Sequence, residues 1–155
     1  MESNAQAENP GSPATLMVVD DNRGVLDFLV LLLSKHGYKT IGVTSAGECL
    51  QMVQQQPVDL IISDVMMPAM DGLQLCQELK PIAPHTPIIL LTARDDMATR
   101  AAAMDLGVSE FVTKPVNNND LLTRVRTQLL NLQWNKAADQ VVSDIDKTAA
   151  TDGKT

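Results

Sequence analysis

The sequence predicts an α/β protein built on a doubly wound parallel sheet with helices on both faces. Two observations predict this fold. Five short apolar runs alternate with five longer amphipathic stretches, which is the pattern of strands that feed crossover helices. The apolar runs, such as Ile88 to Leu91, do not alternate with polar residues, as expected of strands that are covered on both faces.

The strands are predicted from short runs rich in Val, Ile and Leu that are bounded by polar residues, Gly or Pro. In chain order the predicted strands are residues 16–20, 39–43, 59–64, 87–92 and 109–114.

The helices are predicted from apolar residues at helical spacing between these runs. In chain order they are residues 23–36, 46–55, 71–80, 95–106 and 118–133. Gly37 and Gly107 are expected to end the first and fourth helices as left-handed caps. Asp71 is interpreted as a helix start with no chemical role. We expect the first helix to bury Val25, Phe28, Leu29 and Leu32.

By composition the chain divides into three parts. Residues 1–14 lack hydrophobic periodicity, so we expect a flexible leader, followed by a domain over residues 15–133. Residues 134–155 are predicted to be a tail, partly helical and then disordered, too short at 22 residues for a further domain. Its apolar residues are spaced by four, three and four positions: Trp134, Ala138, Val141 and Ile145.

Composition excludes several classes of function. The 155 residues carry 19 acidic and 12 basic side chains, a formal charge of −7 and 45% hydrophobic residues, which is typical of one globular domain. The acidic balance argues against direct contact with nucleic acid. No signal peptide or membrane-length apolar run is found, so we expect no membrane insertion and a cytoplasmic location, with Cys49 and Cys76 as buried free thiols.

Polar side chains fall where the predicted strands end. Asp20 and Asp21 follow the first strand, Asp64 ends the third, Thr92 the fourth and Lys114 the fifth. In a parallel sheet these ends meet at one edge, where ligands bind. Three crowded carboxylates repel one another unless a cation lies among them, and Mg²⁺ is the hard cation that prefers such oxygen ligands.

This set of groups suits phosphoryl transfer. A carboxylate can act as the nucleophile and form an acyl phosphate, and Asp64 at the end of a buried strand is the best candidate. Lys114 and Thr92 can each bind one phosphate oxygen. Taken alone, each residue is more often a cap or a surface charge, and only their joint position favours chemistry.

Four segments then carry a resemblance to a family: VVDDN (18–22), DVMMPAMDG (64–72), LLTA (90–93) and FVTKP (111–115). They resemble the receiver domain of bacterial two-component response regulators, over roughly residues 15–133. The resemblance implies a flavodoxin-like three-layer sandwich with strand order 2-1-3-4-5 and five helices. It also implies phosphorelay signal transduction by a phosphoprotein.

Carried over to this chain, the resemblance implies that Asp64 receives phosphate from a sensor histidine kinase or a histidine phosphotransfer protein. The metal ligands it implies for Mg²⁺ are Asp20, Asp21, Asp64 and the backbone carbonyl of Met66. Thr92 and Lys114 would bind the phosphoryl oxygens, and the Lys114–Pro115 peptide bond would be cis.

The resemblance further implies a switch in which Thr92 and Phe111 move together after phosphorylation. Phe111 replaces the more usual Tyr and lacks its hydroxyl group. Met66 and Arg94 are expected to tune the lifetime of the phosphoryl group, and with an apolar Met66 we expect slow self-dephosphorylation. A downstream target or a second copy is expected on the face formed by the fourth helix, the fifth strand and the fifth helix.

Three alternatives to a single-domain regulator remain. The first is that the chain is the receiver fragment of a longer multidomain regulator. A pseudo-receiver scaffold would keep the fold without accepting phosphate, although such a chain would be expected to lack an acidic or Lys position that is present here. A Mg²⁺-dependent phosphatase with an aspartyl nucleophile needs a second acid two residues later, where this chain has Met66.

Overall fold

The computed structural model describes residues 13–93 and 97–133. Predictions for residues 1–12, for Arg94 and for the tail at 134–155 lie outside this range. The strands are β1 (Thr15–Val19), β2 (Lys39–Val43), β3 (Leu60–Asp64), β4 (Ile88–Thr92) and β5 (Glu110–Thr113). The helices are α1 (Arg23–Lys35), α2 (Ala46–Gln55), α3 (Gly72–Ile82), α4 (Met97–Asp105) and α5 (residues 118–133).

All five strands are parallel and follow the order β2-β1-β3-β4-β5, so the predicted doubly wound sheet is confirmed. β3 lies at the centre and is buried at every position. Because the strands are parallel, Asp64 and Thr92 lie at the same edge of the sheet as the residues that follow β1 and β5. The fold therefore brings together the segments that were predicted to form the site.

The sheet has an apolar core on each face, as a three-layer sandwich requires. Alternate residues of β1 point to opposite faces: Leu16 and Val18 pack with α1 and α5, whereas Met17 and Val19 pack with α2 and α3. A smaller cluster around Leu90 and Ala103 joins α3 and α4 to β4.

The buried face of α1 differs from the prediction. Leu26, Leu29 and Leu33 are buried, whereas Phe28 is 50% exposed and Val25 and Leu32 are only partly buried. The helix is rotated so that Leu26 meets the β2 strand, where a Cβ added to Gly42 would lie 3.1 Å from it. A helix with apolar residues on most of its circumference does not reveal its contact face from spacing alone.

The helix ends agree with the prediction at α1 and α4 but not at α3. Gly37 and Gly107 have φ of 93° and 83°, as left-handed caps require. α3 runs two residues beyond the predicted end and includes Pro81, because Ala83 N–H still donates to Leu79 and closes the last turn. Within residues 13–93 and 97–133, no helix is long and apolar enough to cross a membrane.

Both cysteines are buried free thiols, as predicted. Burial raises the pKa of Cys49 to about 12 and that of Cys76 to about 11. Their thiolate forms are therefore strongly disfavoured at neutral pH.

Candidate functional site

The turn after β1 places two acidic residues in different environments. Asp20 is fully buried, and its N–H donates to the carbonyl of Val43 on the neighbouring strand. Its Oδ1 accepts a hydrogen bond from Asn22 N–H at 2.9 Å. Asn22 in turn caps α1 by accepting from Val25 N–H. Asp21, between these two residues, is exposed.

Asp64 is the last residue of the buried central strand, and 5% of its surface is exposed. Its carbonyl oxygen accepts a hydrogen bond from Ser63 Oγ at 2.9 Å. The next residue, Val65, donates from its N–H to Leu91 on β4. The backbone at Asp64 is thus held from two sides.

Gly72 is a structural contributor to the site that the sequence analysis missed. A Cβ added there would lie 2.6 Å from the carbonyl oxygen of Asp64 and 2.9 Å from Cα of Val65. Gly72 N–H also donates to Val65 at 2.8 Å, and Asp71 caps the helix with a full capping box. A glycine at the first helical position, where a side chain is normally tolerated, was the available sequence signal.

The three carboxylates predicted to crowd together do so. One oxygen each from Asp20, Asp21 and Asp64 lies within 4.8 Å of the others. Burial raises the pKa of Asp20 above its ordinary value, and the charges of Asp64 and Asp21 raise it further, against the opposing effects of the Asn22 hydrogen bond and Lys114.

These residues fit a hard divalent cation. Oδ2 of Asp20 is buried without a hydrogen-bond partner among the described residues, although a buried carboxylate oxygen normally has one. The donor set is made only of oxygen atoms, which Mg²⁺ prefers over nitrogen and sulfur. A cation among the three carboxylates would satisfy the orphaned oxygen and relieve their mutual repulsion.

Lys114 lies against the acidic cluster. Its Nζ donates to Oδ1 of Asp64 at 2.8 Å, although 37% of the lysine side chain is exposed. Its backbone N–H donates to the carbonyl of Thr92 at 2.8 Å, and the peptide bond that joins it to Pro115 is cis. Lys114 therefore approaches Asp64 from the β4–β5 side of the sheet.

Thr92 and Phe111 lie on adjacent strands, β4 and β5. Thr92 is buried at the end of β4, and its Oγ1 donates to the carbonyl of Ala93 at 3.1 Å. Phe111 is partly buried and is paired with Leu90 in the β4–β5 register. The guanidinium of Arg100 lies 5.6 Å from the centre of the Phe111 ring.

Met66 lies in the loop between β3 and α3, two residues after Asp64, and its side chain is 73% exposed. Ala69 in the same loop has a φ of 66°, which an L-residue other than Gly rarely adopts. The predicted role of Arg94 falls on a residue outside those described.

The arrangement combines a nearly buried carboxylate, a lysine ammonium bonded to it and an oxygen-lined cation site. Such a site suits the transfer of a phosphoryl group to a carboxylate, because that reaction depends mostly on position and on neutralised oxygen charge.

The chain belongs to the response regulator receiver domain family, whose sequence profile matches residues 16–126. This finding confirms the resemblance seen in the sequence motifs.

Individual relatives support the same assignment. The chain is 36% identical over 126 residues to the response regulator MprA of Mycobacterium leprae, covering 81% of this chain and 55% of MprA. It is 41% identical over 109 residues to the transcriptional regulatory protein GlrR of Escherichia coli K12, covering 70% of this chain and 24% of GlrR. The chain thus spans about half or less of the length of these two relatives.

Solved structures show the same fold. A putative response regulator from Chloroflexus aurantiacus has a TM-score of 0.73 and 33% identity, with 77% of this chain and 99% of that chain covered.

Proposed function

We propose that Asp64 is the phosphoacceptor of a phosphorelay switch that takes its phosphoryl group from a sensor histidine kinase or a histidine phosphotransfer protein. The observation that carries this proposal is the 2.8 Å contact between Lys114 Nζ and Oδ1 of a carboxylate that also belongs to the acidic cluster. Few structural roles require a nearly buried carboxylate that has both a cation partner and two acidic neighbours.

In the proposed reaction, a carboxylate oxygen of Asp64 attacks the phosphorus of a phosphohistidine. The new bond is P–O, the P–N bond breaks, and the histidine nitrogen leaves with the electron pair. The product is an acyl phosphate on Asp64. The departing imidazole is neutral where its other ring nitrogen already carries a proton, and otherwise it takes a proton from water. No oxidant or further reactant is needed.

Lys114 and Thr92 are proposed to bind the transferred oxygens. The ammonium of Lys114 already lies at hydrogen-bond distance from Asp64, so it needs to move little to reach an oxygen carried by that carboxylate. Among the described residues, the hydroxyl group of Thr92 is bonded to the adjacent Ala93 carbonyl alone, a local bond that is easily exchanged for a phosphoryl oxygen.

Asp20, Asp21, Asp64 and the backbone carbonyl of Met66 are proposed to hold Mg²⁺. When bound, the ion would neutralise charge on the phosphoryl oxygens. The protein's own contribution is to keep Asp20 buried and fixed by its bond from Asn22, so that one carboxylate oxygen stays directed into the site.

Phosphorylation is proposed to act on protein contacts through Thr92 and Phe111. The expected surface is the face of α4, β5 and α5, which would meet a downstream target or a second copy. Two methionines of α4, Met97 and Met104, are 73% and 68% exposed, and flexible thioether side chains suit an adaptable contact surface.

Met66 is proposed to set the lifetime of the phosphorylated form. Because Met66 is apolar and exposed, it offers no group to orient a water molecule towards the acyl phosphate. Slow self-dephosphorylation follows, and Met66→Asn is expected to shorten the lifetime of the phosphorylated form. An unchanged decay rate in that variant would show that Met66 does not tune the lifetime.

The proposal is tested by intact-mass spectrometry after incubation with acetyl phosphate, with and without Mg²⁺. Wild type is expected to gain one phosphoryl group only with Mg²⁺, and Asp64→Asn is expected to gain none. Asp27→Asn is the matched control, since Asp27 is an exposed acid of α1 and that variant should label like wild type.

Two results would overturn the proposal. Labelling of Asp64→Asn would place the phosphoryl group elsewhere. Failure of wild type to label with acetyl phosphate and with a panel of phosphorylated histidine donors would favour a pseudo-receiver scaffold.

A further inference from the structure

α4 is tied to the sheet by few side chains. Ala103 is the one fully buried residue of this helix, and the long side chains of Met97 and Met104 are mostly exposed. Arg100 instead turns towards β5 and bonds to it. It is therefore the longest side chain that α4 directs at the sheet.

Arg100 makes two contacts with one face of β5. Its Nη2 donates to Oγ1 of Thr113 at 2.6 Å, and its Cζ lies 5.6 Å from the centre of the Phe111 ring. Phe111 and Thr113 are two residues apart, so they share a face of the strand. The ring distance is within the range of a cation–π interaction.

These contacts act on the strand directly before Lys114. Thr113 is paired with Thr92 in the β4–β5 register, and the next N–H, that of Lys114, donates to the Thr92 carbonyl. Lys114 Nζ then reaches Asp64. One guanidinium thus contacts both the switch aromatic and the residue adjacent to the phosphate-binding lysine.

We propose that Arg100 is a positioning residue of the switch: it holds Phe111 and Thr113 in the conformation in which Lys114 pairs with the unmodified Asp64 carboxylate. This inference rests on the proposed function of Asp64, and it adds a restraint that opposes the movement of Phe111. Phosphorylation must then displace the ring from beneath the guanidinium.

An unfavourable feature of Arg100 limits the strength of this restraint. Nε of Arg100 is buried without a hydrogen-bond partner among the described residues, and an unpaired buried N–H disfavours the conformation that contains it. The Phe111 ring and the Thr113 hydroxyl group hold Arg100 in place against this unfavourable free energy. Once Phe111 moves away, the stacking is lost, and release of the guanidinium to water becomes favourable. The positions of Arg100 and Phe111 are therefore coupled.

The first test measures amide hydrogen exchange in the unphosphorylated 155-residue chain. In Arg100→Met, the Lys114 amide is expected to exchange roughly tenfold faster, since a cation–π contact and a charged hydrogen bond are both removed. Arg100→Lys keeps the charge but not the planar group, so it should give an intermediate rate. Arg126→Met is the matched control, because Arg126 is exposed on α5 and its loss should leave Lys114 unchanged.

The second test measures the rate at which acetyl phosphate labels Asp64. Arg100→Met is expected to label several-fold faster than wild type, because the restraint on Phe111 is gone, and Arg100→Lys should restore most of the wild-type rate. A packing role alone would lower the unfolding temperature without raising this rate. An unchanged exchange rate at Lys114, or an unchanged or slower labelling rate in Arg100→Met, would overturn the inference.

The two tests separate this inference from the proposed function. Exchange in the unmodified chain needs no phosphate, so it decides whether Arg100 holds β5 whatever Asp64 does. A wild type that no phosphodonor labels would instead remove the proposed function, and with it the regulatory role of Arg100.

Discussion

The two halves of the site differ in how deeply their strands are buried. The acidic half, defined by Asp20, Asp21 and Asp64, follows the central strands β1 and β3, where all but one of ten positions are buried. The switch half, defined by Thr92, Phe111 and Lys114, extends to the edge strand β5, where Val112 alone is buried. A cation site needs fixed ligands, whereas a switch needs a second accessible conformation.

The helices beside the two halves differ in the same sense. α1, next to the acidic half, has an Asn22 N-cap and three buried leucines. α4, next to the switch half, has Ala103 as its one buried residue. We therefore expect conformational change to be confined to the α4–β5 side while the acidic cluster stays in place.

The largest expected effect is a contrast in hydrogen exchange between α1 and α4. Local opening of α4 exposes little apolar surface, so its amides should exchange through local rather than global unfolding. The Ala101 amide is expected to exchange at least about 100-fold faster than that of Leu29 after correction for intrinsic rates. Equal protection of the two helices would contradict the division into a rigid and an adjustable half.

The second effect is destabilisation by Gly72→Ala. The added methyl group would lie 2.6 Å from the Asp64 carbonyl oxygen, and the neighbouring atoms are backbone, which cannot rotate away. We expect a loss of about 2–3 kcal/mol in the free energy of unfolding, measured by urea denaturation, as in other overpacked sites. Displacement of Asp64 should also slow labelling by acetyl phosphate.

Gly47→Ala provides the control for Gly72→Ala. Gly47 is also near a helix start, but among the described residues an added Cβ would meet only Ser45 Oγ, at 3.9 Å. Ala has the higher helix propensity, so this variant is expected to be neutral or slightly stabilised. Similar losses in the two variants would mean that Gly72 owes its effect to the helix and not to its contact with Asp64.

Much of the fold could be predicted from the sequence because its strands are continuous apolar runs. A run such as that of β3 is typical of a strand covered on both faces, and parallel pairing is expected where helices connect such strands. The ends of four of the five strands also identified the polar residues that meet at the sheet edge. The convergence of Asp20, Asp64 and Lys114 was therefore accessible from pattern alone.

The details that the sequence did not reveal depend on contacts between elements. The buried face predicted for α1 was wrong. Phe28 and Leu26 are both apolar, and only the packing against β2 determines which of the two is buried. Gly72 and Arg100 are each close to a residue on another element. A Cβ added at Gly72 would lie 2.6 Å from the Asp64 carbonyl oxygen, and Nη2 of Arg100 lies 2.6 Å from Oγ1 of Thr113. No periodicity along the chain encodes such distances.

The third effect concerns Asp20, whose pKa is raised chiefly by burial. The folded state then favours the protonated form, so the stability contributed by Asp20 is full below its unfolded pKa and falls as pH rises through the folded pKa. At neutral pH with a chelator present, Asp20→Asn is expected to raise the free energy of unfolding by about 1 kcal/mol, since it removes a buried charge with an unpaired oxygen.

The pH dependence identifies the cause of this gain. The advantage of Asp20→Asn should shrink as pH falls through the folded pKa of Asp20, because wild type is then protonated too. Asp27→Asn, at an exposed position, is expected to show no such change. Added Mg²⁺ should stabilise wild type and not Asp20→Asn, and a gain that persisted in acid would exclude charge burial as its source.

The smallest effect tests whether the loop of the acidic half is strained. Ala69 has a φ of 66°, a conformation that disfavours an L-residue by roughly 1–2 kcal/mol, whereas Gly there loses about 0.5–1 kcal/mol more chain entropy on folding. Ala69→Gly is therefore expected to stabilise by about 0.5 kcal/mol in thermal denaturation, because the first term is the larger. Gly37→Ala makes the reverse change at a φ of 93° in open space, so it should destabilise. If Ala69→Gly also lowered the stability of the protein, the positive φ at Ala69 would not be strained. The conformation of this loop would then depend on Gly72 and the Asp71 cap alone.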